Sequence, residues 1–418
     1  MSTALRDSTK LPKIPGPADR RIAVRVTPEA ERALRNGHPW LFDQSIRQQS
    51  HEGQPGDLAV VFDRKRDFLA VGLYDPLSSI RVRILQHGEP VAIDQDWFRV
   101  RLEEAARVRA PLLDGATTGY RLAHGENDGL PGLVIDCYER TLVLKLYTSA
   151  WLPHLRDVLT ALSCVNPAER VVLRLGRAVL EQPQELYGLR DGAILLGPDL
   201  DGVVLFRENG LCFEADPVHG QKTAFFLDQR DNRARVERLA EGRAVLNVFA
   251  YTGGFSVYAA RGGARSVVSV DASVPALQAA ARNMAHNRDV QAVAAAHETM
   301  AGDAFEALAQ MGENGRRFEM VIIDPPAFAQ SQAKVAQALA AYERLTRLGL
   351  GVLRPGGVLV QASCSSRVDA ETFFEAVNRA AMQVGRPLRE IERTGHPLDH
   401  PVTFKEGAYL KCLFAIAP

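Results

Sequence analysis

Two apolar runs end in residues that can do chemistry. VIIDPPAFAQS, residues 321 to 331, sets Asp324 directly before Pro325 and Pro326. QASCSSR, residues 361 to 367, holds Cys364 between two serines where the run GGVLVQAS stops. Proline removes backbone donors and keeps the residue before it extended, so Asp324 is presented on a rigid tip. A carboxylate held there, with Phe328 nearby, suits gripping the polar edge of a planar heterocycle while a ring stacks beside it. The plainer alternative is a stiff loop. A cysteine at the tip of a run can act as a nucleophile, which asks for a partly ionised thiol with a lowered pKa. The alternative is a buried structural thiol, and that is the reading for Cys137, Cys164, Cys212 and Cys412.

These tips need a scaffold. From Glu237 onward, strands AVLNVFA, SVVSVDA, FEMVIIDP and GGVLVQAS alternate with helices such as FSVYAARGG and AKVAQALAAYERLTRLGLGVL. The last of these helices is expected to stop at Arg354-Pro355-Gly356-Gly357. Such alternation predicts a parallel, doubly wound α/β sheet, whose ligands sit beyond the carboxyl ends of the strands. In that order the strand after Asp-Pro-Pro lies next to it, so Asp324 and Cys364 should open into one pocket.

The other strand ends carry a matching set. NVFAYTGGFSVYAA, residues 247 to 260, is a strand, a Gly253-Gly254 turn and a helix, which points a helix N-terminus at a ligand. GxGxxG is absent, so a nicotinamide enzyme loses its main support. Asp271 ends the second strand twenty-four residues after Asn247, placed to bind two ribose hydroxyls or else to cap the following helix. Asp303 in AGDAFEAL could accept from an adenine amino group or be a cap itself. In this order and spacing they describe the adenosyl pocket of a class I S-adenosylmethionine-dependent methyltransferase. Beside such a pocket, a thiolate and a fixed carboxylate fit methylation of a pyrimidine at carbon 5. That carbon is a poor nucleophile until a thiolate adds at carbon 6, while Asp324 would bond nitrogen 3 and the exocyclic amine.

The remainder of the chain bounds the context. At 418 residues, 46% hydrophobic and 24% charged, it has ample core for two or three domains. No run is long enough for a membrane span and the polar, Pro-rich start lacks a signal-peptide h-region. Five scattered cysteines without a CxxC pair point away from disulfides and zinc and toward a reducing cytoplasm. Formal net charge is zero, but residues 1 to 88 carry fourteen Lys/Arg against ten Asp/Glu, a weak hint of phosphate contact. There RIAVRV, GDLAVVFD, FLAVGLY and IRVRILQ read as strands around a helix TPEAERALRNG, a small β-barrel-like module of the kind that binds RNA. The DRKRD turn could bring Arg64, Lys65 and Arg66 to phosphates. A mixed α+β piece follows, with a helix DWFRVRLEEAARVRA and a hairpin in VIDCYERTLVLKLY; VVLFRENGLCFEAD turns at Asn209-Gly210. The expected limits are a flexible tail at 1–20, the barrel-like domain at 21–88, the central domain at 89–200 and the sheet domain at 201–418.

With GHPWLF (37–42), VGLYDPLSSIRVRIL (71–85), RLAHGENDGLPGLVID (121–136), KTAFFLDQRDNR (222–233), the DPPAF and SCS motifs and HPLDHPVTFKEGAYLK (396–411), the chain resembles the RlmI-type family of bacterial ribosomal large-subunit methyltransferases from about residue 21 to its end. That family makes 5-methylcytosine in 23S rRNA. The resemblance implies a PUA domain at the N-terminus, S-adenosylmethionine as cofactor and Cys364 as nucleophile. It implies a cofactor loop over Phe249, Tyr251, Thr252, Gly253 and Gly254, with Gln229 or Arg230 contributing; Phe328, beside the Asp-Pro-Pro tip, is the residue expected to contact the RNA base. Asn247 stands where many relatives have Asp. Positions 324 to 328 lack the additional cysteine that many other RNA cytosine-5 methyltransferases carry, so the group that removes the carbon-5 proton is open. His396 and His400 are spaced i, i+4, but Pro397 and Pro401 prevent a regular helix. They read as loop residues lining or closing the pocket, and no metal is expected. Two other readings stand beside cytosine-5 methylation: a guanine-N7 methyltransferase, the sister branch that lacks the SCS cysteine, and a non-catalytic RNA-binding assembly factor. A homodimer is compatible with the sequence, although no heptad or apolar face announces one.

Overall fold

The computed structural model describes residues 10–181, 185–221, 223–288, 296–329 and 331–418. Residues 1–9 of the expected tail, Lys222 of KTAFFLDQRDNR and Gln330 lie outside them. The chain forms two compact units.

The first unit holds residues up to Arg207 together with Ala215–Phe225 and Leu398–Phe404. Its N-terminal sheet has six strands, β1 (Ile22–Val26), β2 (Trp40–Phe42), β3 (Ile46–Gln49), β4 (Leu58–Phe62), β5 (Phe68–Tyr74) and β6 (Ile80–His87), in the order β2-β6-β5-β4-β1-β3. Helix α1 (Pro28–Arg35) starts where the Thr27 side chain accepts from the Ala30 N–H, as its sequence predicts. The short β2 and β3 were not legible, because three- and four-residue strands carry too little alternation. Helix α2 (Gln95–Arg109) leads to a five-stranded sheet of β7 (Gly119–His124), β8 (Leu133–Tyr138), β9 (Thr141–Leu146), β10 (Arg170–Leu175) and β11 (Ile194–Leu196), with α3 (Leu155–Val165) and the short α4 (Arg177–Glu181). The β8–β9 hairpin forms as expected, turning through Glu139 at φ 56°.

Leu58, Val71, Leu73 and Leu85 of the N-terminal sheet share one buried cluster with Trp97, Phe98, Leu144 and Trp151, so residues 21–88 and 89–200 belong to a single unit. Residues 10–20 are not a loose tail: the Lys10 N–H bonds Leu195 O, the Ala18 N–H bonds Asp57, and Leu11 and Ile14 pack on the core. Next come β12 (Val204–Glu208) and β13 (Leu211–Ala215), a two-stranded ribbon whose Asn209 and Gly210 both take positive φ, as an Asn-Gly hairpin turn requires.

The second unit holds Glu208–Glu214, Phe226–Pro397 and Lys405–Pro418. Its seven strands are β14 (Ala244–Val248), β15 (Ser266–Asp271), β16 (Ala296–Ala301), β17 (Phe318–Ile323), β18 (Leu353–Ser363), β19 (Arg389–Thr394) and β20 (Lys411–Ala417). They lie in the order β16-β15-β14-β17-β18-β20-β19, parallel from β16 to β18, with β20 antiparallel to both neighbours. Around them run α5 (Arg230–Leu239), α6 (Gly254–Arg261), α7 (Val274–His286), α8 (Ala304–Glu313), α9 (Val335–Val352) and α10 (Ala370–Gln383). The doubly wound sheet is therefore present, and β17 and β18 are neighbours. Several details differ from expectation, among them strands β19 and β20, which the sequence did not reveal and of which β20 runs antiparallel. Helix α9 ends at Val352, and Arg354-Pro355-Gly356-Gly357 forms an irregularity inside β18, where pairing jumps from Phe318–Leu353 to Met320–Val358. Strand β16 was missed because AHETMA is polar and mostly exposed, an edge strand with no apolar face to read. Among the described residues no helix is long and apolar enough to cross a membrane.

Candidate active site

The residues singled out at strand ends gather at the carboxyl edge of the parallel sheet in the second unit. After β14 the chain turns through Phe249 at φ 61° and Tyr251 at φ 47°, left-handed values that non-glycine residues seldom adopt. The turn is held from both sides. The Ala250 N–H donates to Val270 O, and the Tyr251 N–H donates to Asp271 Oδ2 at 2.8 Å. Asp271 Oδ1 accepts from the Ser273 N–H, and the following helix α7 is capped by Ser273. Asp271 is thus not the cap of α7; it fastens the strained turn.

Gly253, at φ 78°, is the N-cap of α6 and offers no side chain to its first turn. A Cβ there would stand 2.7 Å from Ala280 Cβ, so close packing against α7 demands the glycine as much as the turn does. Two buried oxygens in this region lack a hydrogen-bond partner: Thr252 Oγ1 and Asn247 Oδ1. The other end of Asn247 donates to Ser256 Oγ, which meets Ser269 Oγ and, through it, His297. Asp303 is exposed and caps α8, its Oδ1 accepting from the Phe305 and Glu306 N–H groups.

Asp324 follows β17, and its N–H lies 3.4 Å from Val248 O, next to the turn just described. Its carboxylate accepts from Gln229 Nε2 at 2.9 Å. Gln229 in turn accepts from Asn232 Nδ2 at 2.6 Å, and Asn232 accepts from Thr394 Oγ1 at 2.5 Å. A chain of side chains from β19 through α5 therefore orients Asp324. Arg230 is buried in an ion pair with Glu208, which also takes a bidentate pair of bonds from Arg233 at 2.8 and 2.7 Å. Phe328 is half-buried, 5.3 Å from the ring of Tyr342 and 6.5 Å from that of Phe305.

Cys364 follows the end of β18, with Sγ 3.9 Å from Pro325 O. Its neighbours fix it: Ser363 Oγ meets the Tyr342 hydroxyl at 2.9 Å, and Ser365 Oγ donates to Ala329 O. Burial pushes the Tyr342 phenol up to about 12, a shift to which the charges of Cys364 and Asp324 add. The residue sequence reasoning missed is Lys411. It opens β20 opposite Ser363, is 4% exposed, and donates to Ser365 O, Val368 O and Tyr409 O. Its sequence signals were its place at the end of HPLDHPVTFKEGAYLK and at the head of an apolar run.

Arg64, Lys65 and Arg66 form an exposed turn of the first unit, with Arg64 bonding Glu31. His396 Nε2 meets the Tyr409 and Leu410 N–H groups and so braces the start of β20; His400 is buried inside the first unit against Asp399. Of the four cysteines read as buried thiols, Cys137 and Cys412 are buried, and burial raises the Cys137 thiol to about 12. Cys164 is exposed on α3 and Cys212 is intermediate, so burial does not describe them. Among the described residues no group of three His, Cys, Asp or Glu is placed to hold a metal ion.

The chain matches the family model for S-adenosylmethionine-dependent methyltransferases over residues 133–415 and that for a PUA-like domain over residues 24–87. It is 48% identical to a ribosomal RNA large subunit methyltransferase of Deinococcus radiodurans, covering 94% of this chain and 97% of that one. It is 36% identical to a ribosomal RNA large subunit methyltransferase I of Pseudoalteromonas translucida, over 94% and 98%. A solved structure assigned to the SAM-dependent methyltransferases from Streptococcus mutans superposes with a TM-score of 0.79 at 23% identity, over 94% and 99% of the two chains. Another, of an assigned methyltransferase complexed with SAH, gives 0.80 at 23% identity, over 95% and 99%. These two superpositions show a shared fold.

Proposed function

This chain belongs to the S-adenosylmethionine-dependent methyltransferase family, and from that premise we propose that it methylates carbon 5 of a cytosine in 23S ribosomal RNA through a covalent adduct of Cys364. Ribosomal RNA as substrate follows the names of relatives that match 94% of the chain. The observation that carries cytosine is the Cys364 thiol, 3.9 Å from the carbonyl of Pro325 and so beside the Asp324 tip. Guanine nitrogen 7 is already nucleophilic and needs no such thiol.

The cofactor is S-adenosylmethionine, and the residues fit it. Thr252 Oγ1 and Asn247 Oδ1 are buried polar atoms without a partner, the first turn of α6 has no side-chain cap, and Asp271 keeps acceptor capacity at the tip of β15. Phe249 to Gly254 and Asp271 would hold it, with Asp303 near the adenine end. Gln229 acts on Asp324, and Arg230 on Glu208.

In the reaction the Cys364 thiolate adds to carbon 6, forming an S–C bond and moving the ring's double-bond pair toward carbon 5. Asp324, held by Gln229, accepts from the exocyclic amine and, in its protonated form, donates to nitrogen 3, where negative charge develops. S-adenosylmethionine, held by the β14 turn and Asp271, would supply the methyl group to carbon 5 and leave as S-adenosylhomocysteine. The carbon-5 proton then leaves to a base or water, its electron pair restores the ring double bond, and the S–C bond breaks to return the Cys364 thiolate. Arg64, Lys65 and Arg66 contact RNA phosphates, and Phe328 contacts the base.

The test is methylation of unmodified 23S rRNA with labelled S-adenosylmethionine by wild type and Cys364→Ala, read as nucleosides by mass spectrometry. Label in 5-methylcytidine that is lost in the variant supports the reading. Label in 7-methylguanosine, or a variant as active as wild type, rejects it.

A further inference from the structure

The mechanism leaves one buried charge beside Cys364 without a task. Lys411 is 4% exposed, and its Nζ donates to the carbonyl oxygens of Ser365, Val368 and Tyr409. An ammonium has three donors, so main-chain carbonyls engage all of them. Two of those carbonyls belong to the turn that immediately follows Cys364. Register places the lysine there: Lys411 pairs with Ser363 across β18 and β20, one residue before the thiol. A buried charge is costly to desolvate, and a neutral amide donor could bridge carbonyls at lower cost. A charge retained here therefore acts on a neighbour.

Cys364 needs one. Asp369, the N-cap of α10, is held anionic by its bonds from Thr372, and Tyr342 is kept neutral by burial. Neither group favours a second negative charge. We propose that the Lys411 ammonium is the positioning residue of the Cys364 turn and the charge that stabilises the Cys364 thiolate, an inference that rests on Cys364 being the nucleophile. Burial lowers the Lys411 pKa to about 8, while the charges of Cys364 and Asp369 raise it, so the ammonium and the thiolate sustain each other. On ionisation the thiol proton leaves to water, the lysine keeps its three, and the turn does not rearrange.

Alkylation of the full-length, cofactor-free protein with iodoacetamide between pH 6 and 10 tests this, following the Cys364 peptide by mass spectrometry. Exposed Cys164 in the same digest is the reference thiol. The Cys364 profile is expected to have its midpoint below that of Cys164. In Lys411→Met that midpoint should rise by about one pH unit or more, with a roughly tenfold slower reaction at pH 7, and Lys411→Arg should stay near wild type. An unchanged midpoint in a folded Lys411→Met protein overturns the proposal. Should that variant not fold, the wild-type comparison decides, since a Cys364 midpoint at or above that of Cys164 is equally fatal. Alkylation needs no methyl transfer, so loss of the covalent mechanism in the Cys364→Ala assay is a separate result.

Discussion

Gln229 donates its side-chain amide to Asp324 at 2.9 Å, and the same amide's oxygen is taken by Asn232. The pairing fixes which way the glutamine faces and, through it, the plane of the Asp324 carboxylate. A group meant to meet a heterocycle edge needs that orientation set before substrate arrives.

Gln229→Leu should therefore lower kcat for rRNA methylation about ten- to a hundredfold while leaving the KM for S-adenosylmethionine within about twofold. Steady-state kinetics at varied cofactor separates the two constants. A rise confined to KM would mean that Gln229 belongs to the cofactor pocket and does not orient Asp324.

Asp271 secures the Tyr251 N–H and stands at the tip of β15. In Asp271→Ala, S-adenosylhomocysteine should bind about tenfold to a hundredfold more weakly, as expected for losing charge-assisted bonds. Titration calorimetry reads this directly. Unchanged affinity would remove the carboxylate from the cofactor site.

Gly253→Ala places a methyl group 2.7 Å from Ala280 Cβ at a φ of 78°. The combined strain should cost about 1 to 3 kcal/mol, seen as a lower urea midpoint. An Ala280→Gly background should recover the packing part alone.

The Asp369 carboxyl is held below the ordinary range by the Thr372 hydroxyl and by the Thr372 N–H that it caps. A depressed folded value means that its stabilisation is complete above the ordinary Asp pKa, near pH 4, and is lost as pH falls through the lower folded value. Asp369→Ala should cost about 1 kcal/mol at pH 7 and progressively less below about pH 4. Denaturation midpoints of both proteins across pH 2.5 to 7 should converge at the acid end; parallel curves would exclude the carboxylate as the cause.

How much was legible follows from where each signal lives. The strands β14, β15, β17 and β18, the helices between them and the capping Thr27 are local patterns, readable because burial imposes periodicity on consecutive residues. The strand-end residues Gly253, Asp271, Asp324 and Cys364 came with them, since a parallel sheet puts all its carboxyl ends on one edge. Edge strand β16 escaped because no core face shapes its sequence.

The tertiary structure alone decided the rest. Thr394 reaches Asn232 across 162 residues, Gln229 meets Asp324 across 95, and Lys411 reaches Ser365 across 46. Segment Leu398–Phe404 leaves the second unit for the first, where Asp399 accepts from the Arg121 N–H. Side-chain hydrogen bonds between distant segments leave no period in the chain. They exist only once the sheet has fixed which strand lies beside which, and the partners that orient Asp324 and charge the surroundings of Cys364 are all of this kind.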